Sequence, residues 1–307
     1  MSGHVTVLGG TGTVGRALAA AWPAGGPRRL RLLVHRSRPA WLTPEHGAHP
    51  IDPASADDLR RALEGSVAFI DLLRPTGDGA RLALAERLGD VLAGAGVRRV
   101  VHASSIDVYG TSRVPVIEAT TPPEPVSAYA REHVEAEAVA LRRPIPTTVV
   151  RLGAVFGPGS ASLVSLADEV AAAPAWRLAA RRALSGPQRL HLVSVDTVTE
   201  ALVALLDAAG APDRLVVTDD AAPANDFGHA QDLLIAALGR ADVSRTPPLP
   251  RFVLPLALAW RGQPPAQAYR RFASAPLAAL VPSAAAAFPA RLGAYVATLA
   301  STRRRAA

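Results

Sequence analysis

Two hydrophobic rhythms alternate along the first half of this chain. Apolar runs of strand length fall at residues 5–8, 30–34, 67–73, 98–103 and 147–152. Between most of them, residues 12–22, 55–63, 79–95 and 127–141 carry apolar side chains every three or four positions, the spacing of one helical face. Strands that alternate with helices need right-handed crossovers, which cover both faces of a parallel sheet. The pattern therefore predicts an α/β fold. Beyond residue 152 the alternation loosens: Gly157-Pro158-Gly159 reads as a turn, residues 163–173 as a helix, 189–195 as a strand leading into a helix from Asp196, and 215–218 as a strand. Residues 221–300 are rich in Ala and Pro with helical pieces, broken by a loop at Pro247-Pro248-Leu249-Pro250.

The first run breaks into Gly9-Gly10-Thr11-Gly12-Thr13-Val14-Gly15-Arg16 and resumes as a helix. Glycine tolerates positive φ and leaves backbone N–H groups bare, so a strand can turn sharply here and offer a helix N-terminus to a pyrophosphate. Gly10-x-Gly12-x-x-Gly15, overlapped by Gly9-x-x-Gly12-x-x-Gly15, has the spacing of a dinucleotide-binding turn. Gly9, Gly12, Thr13, Val14 and Gly15 are the expected cofactor contacts. The fold expectation becomes a Rossmann doubly wound parallel sheet with a smaller, mostly helical C-terminal substrate domain. Residues 1–153 form the dinucleotide-binding domain, with 188–218 returning to it. Residues 154–187 and 219–300 form the substrate domain, and 301–307 a basic tail.

With 307 residues, 49% of them hydrophobic, the chain can bury a sizeable core. The longest apolar candidate for a membrane span, residues 252–260, is short and interrupted by Pro255. No signal-like segment opens the chain, so a cytoplasmic protein with no membrane partner is expected. The absence of Cys excludes disulfides, thiolate nucleophiles and Cys-based metal sites. A net charge of +7 raises nucleic acid as a partner. All 33 basic residues are Arg, however, dispersed as pairs such as Arg142-Arg143 and Arg181-Arg182, with only Arg303-Arg304-Arg305 compact. That dispersal, with abundant Ala, Gly and Pro, points to coding bias and argues against nucleic acid. Small anionic ligands fit it.

Candidate chemistry follows the run at 98–103, which continues into Ser104-Ser105-Ile106-Asp107-Val108-Tyr109-Gly110; further on stands Ser127-Ala128-Tyr129-Ala130-Arg131-Glu132-His133. With Pro115-Val116-Ile117-Glu118, Arg151-Leu152-Gly153-Ala154-Val155-Phe156-Gly157-Pro158-Gly159 and Leu192-Val193-Ser194-Val195-Asp196-Thr197-Val198, these motifs resemble the extended short-chain dehydrogenase/reductases, the NAD-dependent epimerase/dehydratase family, over roughly residues 3–210. In that family a Ser-Ser-x-x-Val-Tyr-Gly strand end precedes a Tyr-x-x-x-Lys helix. The resemblance implies that Tyr129 is the general acid or base and that Ser105 hydrogen-bonds the same substrate oxygen. His133 stands one helical turn on, where the family's Lys binds nicotinamide ribose and stabilises tyrosinate. No Lys elsewhere can substitute. A cation near 4 Å is worth about 4 kcal/mol at an effective dielectric of 20, whereas imidazole, with an ordinary pKa of about 6.5, is largely neutral at physiological pH. Reduction uses neutral Tyr and loses least by the change; oxidation needs tyrosinate.

An acid that would accept from the adenosine ribose of NAD is missing after the second run, where Val34-His35-Arg36-Ser37-Arg38 stands. His35 and Arg36 are the expected cofactor contacts there, and Arg36 favours the 2′-phosphate of NADP over NAD. The resemblance adds Asp52 beside the adenine and counts Leu72 among the cofactor contacts. It places the substrate on Ser105, Asp107 and Arg189, the last suited to a diphosphate through bidentate pairing. The expected reaction is NADPH-dependent reduction of a keto group, at C4 of a nucleotide-linked deoxysugar. A nucleotide-sugar epimerase and a non-catalytic NADP-binding sensor or scaffold are the alternatives, and a homodimer is possible. Ser105-Ile106-Asp107 lacks the middle acid of the family's dehydratases, and Ser104 and Ser105 lack the glycines of a hydrolase nucleophile turn. His35, His102 and His191 have no metal-ligand spacing, so no metal is expected.

Overall fold

The computed structural model describes residues 3–23, 26–35, 39–42, 47–262 and 265–306. The alternating first half folds as read, with one short strand, β3, added: β1 (Gly3–Leu8), α1 (Thr13–Ala21), β2 (Arg28–Val34), β3 (Ala48–Pro50), α2 (Ala56–Leu63), β4 (Ser66–Asp71), α3 (Ala80–Gly94) and β5 (Val100–Ser105). A 3-10 turn (Ile106–Tyr109), β6 (Val116–Ile117), α4 (Ala128–Leu141) and β7 (Thr147–Leu152) follow. Next come β8 (Ala154–Phe156), α5 (Val164–Ala172), α6 (Ala175–Ser185), β9 (Leu192–Ser194), α7 (Val195–Asp207), β10 (Arg214–Val217) and α8 (Phe227–Ala237). The chain ends with α9 (Val253–Trp260), β11 (Arg271–Phe272), α10 (Ala275–Leu280) and α11 (Ala284–Ala306).

Seven strands form one sheet in the order β3-β2-β1-β4-β5-β7-β10, and the pairings from β3 to β7 are parallel. From β1 the chain winds outward to β3, returns to lay β4 against the other side of β1, and winds outward again. Strand order thus reverses between β1 and β4, the point where open α/β sheets bind ligands beyond their strand ends. Near-continuous apolar runs suit such strands because both faces are covered, as at Val5, Val7, Phe69, Ile70, Val100 and Val101, all fully buried. Polar side chains set the helix starts: Ser55, Ser127 and Asp226 accept from Asp58, Ala130 and His229 N–H groups.

Two units divide the chain. The first holds Met1–Gly110, Pro122–Leu152 and Val198–Leu215; the second holds Thr111–Thr121, Gly153–Thr197 and Val216–Ala307. The first is packed around Leu33, Leu59, Phe69, Leu88 and Leu92, the second around Phe156, Leu234, Phe288 and Leu292. These boundaries differ from the sequence expectation because short strands pair over long separations. Residues 111–121 join the second unit, since β6 pairs with β11 and Arg270 donates to the Ser112 carbonyl. β9 pairs with β8, so the segment returning to the first unit begins at Val198. The strand read at 189–195 shrinks to β9, and the one at 67–73 stops at Asp71, whose carboxylate turns inward. β3 and α6 were not legible. The supposed basic tail is the end of α11, where Arg303 pairs with Asp168 at 2.7 Å.

Candidate active site

At the β1 end the glycines divide by what each is needed for. Gly9 has φ 78°, and a Cβ there would lie 2.9 Å from the Leu72 carbonyl carbon; Leu72 N–H in turn donates to the Leu8 carbonyl. A Cβ on Gly15 would fall 2.3 Å from the Gly10 oxygen, so α1 packs on the turn only because position 15 is bare. Gly12 is different: it is exposed, and its Cβ would meet nothing closer than the Gly9 oxygen at 3.5 Å. The fold has no use for a glycine there. A phosphate approaching the start of α1 would have one, because Gly12 is its N-cap and supplies no side-chain acceptor. Thr13, Val14 and Gly15 form the first turn of that helix. Half-buried Leu72 follows β4 beside it, so the turn fits a dinucleotide.

At the adenosine end, His35 is exposed directly after β2, while Arg36 lies outside the described residues. Asp52 is exposed after β3; its Oδ1 accepts from Ala54 N–H at 2.9 Å and its own N–H donates to Asp58 Oδ2. No carboxylate stands among the described residues that close β2.

The candidate proton-transfer residues lie on β5 and α4, which pack together. Ser105 ends β5 half-buried, and its Oγ accepts from Asp107 N–H at 3.1 Å. That bond uses a lone pair and leaves the hydroxyl hydrogen to donate. Asp107 itself is exposed in the 3-10 turn. On α4, Tyr129, His133 and Glu137 follow one another at four-residue spacing down one face. Tyr129 is half-buried, and its ring meets His133 edge-on with centroids 4.7 Å apart. The Arg74 guanidinium lies over the Tyr129 ring at 5.9 Å.

His133 is buried with Nε2 lacking any hydrogen-bond partner. Burial foremost, then His102, Arg81 and Arg74, push its pKa down to about 3. Removed from water and faced by guanidinium groups, the imidazole holds no proton in the physiological range. Position 133 therefore supplies no positive charge to Tyr129.

Beneath it lies a charged cluster that sequence reasoning missed. Arg81 Nη2 donates to Asp71 Oδ2 at 2.5 Å, and His102 Nδ1 stands 3.2 Å from the same oxygen, all three buried. Burial alone would raise the Asp71 pKa, but Arg81 and His102 hold it far below the carboxylate range. Glu132 of α4 accepts from Gly77 and Arg81 N–H groups, tying the helix to the start of α3. Glu137 binds Arg151 through two nitrogens at 3.0 and 2.6 Å and accepts from Ser104, while Arg151 also donates to Tyr109. This buried pair joins β5, α4 and β7. An Asp closing an apolar strand was its visible signal at position 71; Arg81, Glu132 and Glu137 looked like ordinary helix charges.

In the second unit Arg189 is committed to the chain itself. Its guanidinium donates to the carbonyls of Asp220, Ala222 and Pro223, and Nε is buried without a partner. His191, at φ 52°, bonds Asp220 at 2.8 Å. A cavity of about 390 Å³ there is lined by Arg182, Asp226, His229 and Asp232, with none of the expected site residues. Among the described residues no group of three His, Cys, Asp or Glu could hold a metal ion.

The model of the NAD dependent epimerase/dehydratase family matches residues 5–238. The chain belongs to that family. Solved structures agree in fold. A candidate epimerase from Burkholderia cenocepacia superposes with a TM-score of 0.72 at 21% identity, over 98% of this chain and 99% of its own. A human epimerase family protein bound to NADPH gives 0.64 at 22% identity, over 97% and 99%. TunA, an NAD-dependent NDP-hexosamine 5,6-dehydratase of tunicamycin biosynthesis, gives 0.63 at 21%, over 91% of each. At these identities the likeness establishes the shared fold. No curated protein matches the chain in sequence.

Proposed function

We propose that this family member is an NADPH-dependent ketoreductase acting on C4 of a nucleotide-linked deoxysugar, with Tyr129 as proton donor. The observation that carries the reading is a buried His133, its Nε2 without a hydrogen-bond partner, in the position of the family's Lys. Without a cation at position 133 only the Arg74 guanidinium, 5.9 Å over the ring, faces Tyr129, so tyrosinate is less stabilised than beside a Lys and chemistry that begins with a neutral Tyr hydroxyl is favoured over chemistry that begins with its anion. An epimerase must first oxidise its substrate and is disfavoured for that reason.

When bound, the nicotinamide supplies the hydride. The chain supplies the rest. Gly9, Gly12, Thr13, Val14 and Gly15 receive the pyrophosphate at the α1 N-terminus, His35 and Arg36 are the residues assigned to the adenosine ribose phosphate by their place in the sequence, and Asp52 flanks the adenine. Leu72 borders the nicotinamide side, and the uncharged His133 joins it only if its buried Nε2 opens to the ribose. Ser105 donates to the carbonyl oxygen and holds it, and the Tyr129 hydroxyl delivers a proton as that oxygen becomes an alcohol. A nucleotide sugar is supported by the family and by TunA, whose name gives it an NDP-hexosamine. Asp107 remains a substrate contact in this reading. Arg189 enters it only if its carbonyl bonds exchange for a diphosphate. NADP is preferred because no acid closes β2.

The test follows NADPH oxidation with a nucleoside-diphosphate 4-keto-6-deoxyhexose. Wild type should turn over, and Tyr129→Phe should lose about two to four orders of magnitude in rate while binding NADPH unchanged. Tight NADPH binding without turnover of any ketosugar nucleotide would move the protein to the sensor class. Equal affinity for NADH would remove Arg36 from the argument.

A further inference from the structure

The C-terminal stretch carries charge of one sign. After Asp242 the chain has no acidic residue, yet nine arginines lie between Arg245 and Arg305. Within this stretch sits α9, eight residues reading VLPLALAW and preceded by Phe252, apolar all the way round. One face is used: Leu254 and Leu258 pack on Ala268, flanked by Leu184 and Tyr269. The helical period sets Phe252, Leu256 and Trp260 in a line on the opposite face. They are 65%, 63% and 89% exposed, with Leu249 just ahead of them at 45%. Arg251 and Arg261, both exposed, bracket the helix, and the Arg251 guanidinium stacks on the Tyr269 ring at 5.4 Å.

A line of large apolar side chains left in water marks a contact surface. We propose that α9 and its bracketing arginines dock this protein onto an anionic lipid surface. The charge pattern selects the occupant. Of the nine arginines, Arg270 is buried and Arg291 and Arg303 pair with Asp196 and Asp168, so the charges that matter at α9 are Arg251 and Arg261. A second copy across a twofold axis would set these against their own copies, where like charges repel. A nucleic acid would satisfy the arginines but leave Leu249 and Leu256 with nothing apolar to enter. An anionic bilayer takes both: the line of side chains enters the boundary between headgroups and acyl chains, and guanidinium groups pair with lipid phosphates. Trp and Phe at the two ends of the line suit that boundary, where an aromatic ring is half in apolar surroundings. Among the described residues no helix is long and apolar enough to cross a membrane. The contact is therefore superficial, a mode that the missing spanning segment did not address, and it is independent of the reaction proposed above.

Flotation of the full chain with vesicles tests it. The protein should rise with mixed phosphatidylcholine–phosphatidylglycerol vesicles, stay behind with phosphatidylcholine alone, and be released by added salt. Leu256→Ser with Trp260→Ser should lower partitioning by roughly tenfold or more, because both side chains are solvent-exposed and their loss leaves the core intact. Arg251→Gln with Arg261→Gln should weaken it by a similar factor through charge alone. Failure to bind anionic vesicles, or full binding by both double variants, overturns the proposal. So does a concentration-dependent dimer broken by the Leu256/Trp260 variant, or retention on DNA in the absence of vesicle binding.

Discussion

Replacing His133 by Phe should remove an acid-sensitive element of this fold. Phe keeps a ring against Tyr129 and deletes a buried nitrogen that has no partner. The His133 pKa falls from 6.5 to about 3 in the fold, chiefly through burial and then through His102, Arg81 and Arg74. Because the folded protein binds this proton more weakly than the unfolded chain, its contribution is complete above about pH 6.5 and is lost as pH falls toward about 3. At about pH 4.5, about two pH units below the unfolded value, protonation of this one imidazole favours the unfolded chain by about 2.7 kcal/mol. Urea unfolding of both proteins at neutral pH and at about pH 4.5 measures the difference. Burial also lowers the pKa values of His4, His49 and His102, so both proteins weaken in acid; wild type should weaken by about 2.7 kcal/mol more. Parallel losses in the two proteins would mean that His133 takes up its proton inside the fold at ordinary acidity. The uncharged position 133, and the preference for reduction built on it, would both fail.

Two further outcomes follow from local geometry. Gly12→Ala should leave stability nearly unchanged while weakening nicotinamide dinucleotide binding, read by cofactor titration; Gly15→Ala should lower the urea midpoint, because its Cβ meets the Gly10 backbone at 2.3 Å. Equal stability losses at both positions would refute the division of labour between these glycines. Asp219 is buried with Oδ1 unpaired, and desolvation raises its pKa to about 6. The fold therefore holds that proton more tightly than the unfolded chain, and the stability it gives below about pH 4 is lost as pH rises through 6. Asp219→Asn keeps an acceptor for Ser194 N–H and should stabilise the protein by up to about 3 kcal/mol at about pH 8 but not at about pH 4, in paired urea titrations. A gain of the same size at both pH values would show that ionisation is not its source.

The sequence by itself determined the winding of the sheet, because a strand's apolar run and a helix's periodic face are written in neighbouring residues. It also determined the glycine turn and the Tyr129–His133 pair, which need only local spacing. The C-terminal half was less legible: β6 with β11 and β8 with β9 are two- and three-residue pairings whose partners are distant in the chain, so no local period announces them. Tertiary structure alone decided which groups carry charge. His133 could be recognised as an imidazole where a Lys was expected, yet its loss of the proton comes from burial and then from His102, Arg81 and Arg74, contributed by β5, α3 and the loop after β4, against the opposing charge of Asp71. Likewise Arg189 looked like a phosphate ligand in sequence, and only the folded loop at residues 220–223 turned its donors onto backbone carbonyls. Spacing along a chain fixes which side chains share a face; solvent exclusion and long-range partners fix their protonation and what they are left to bind.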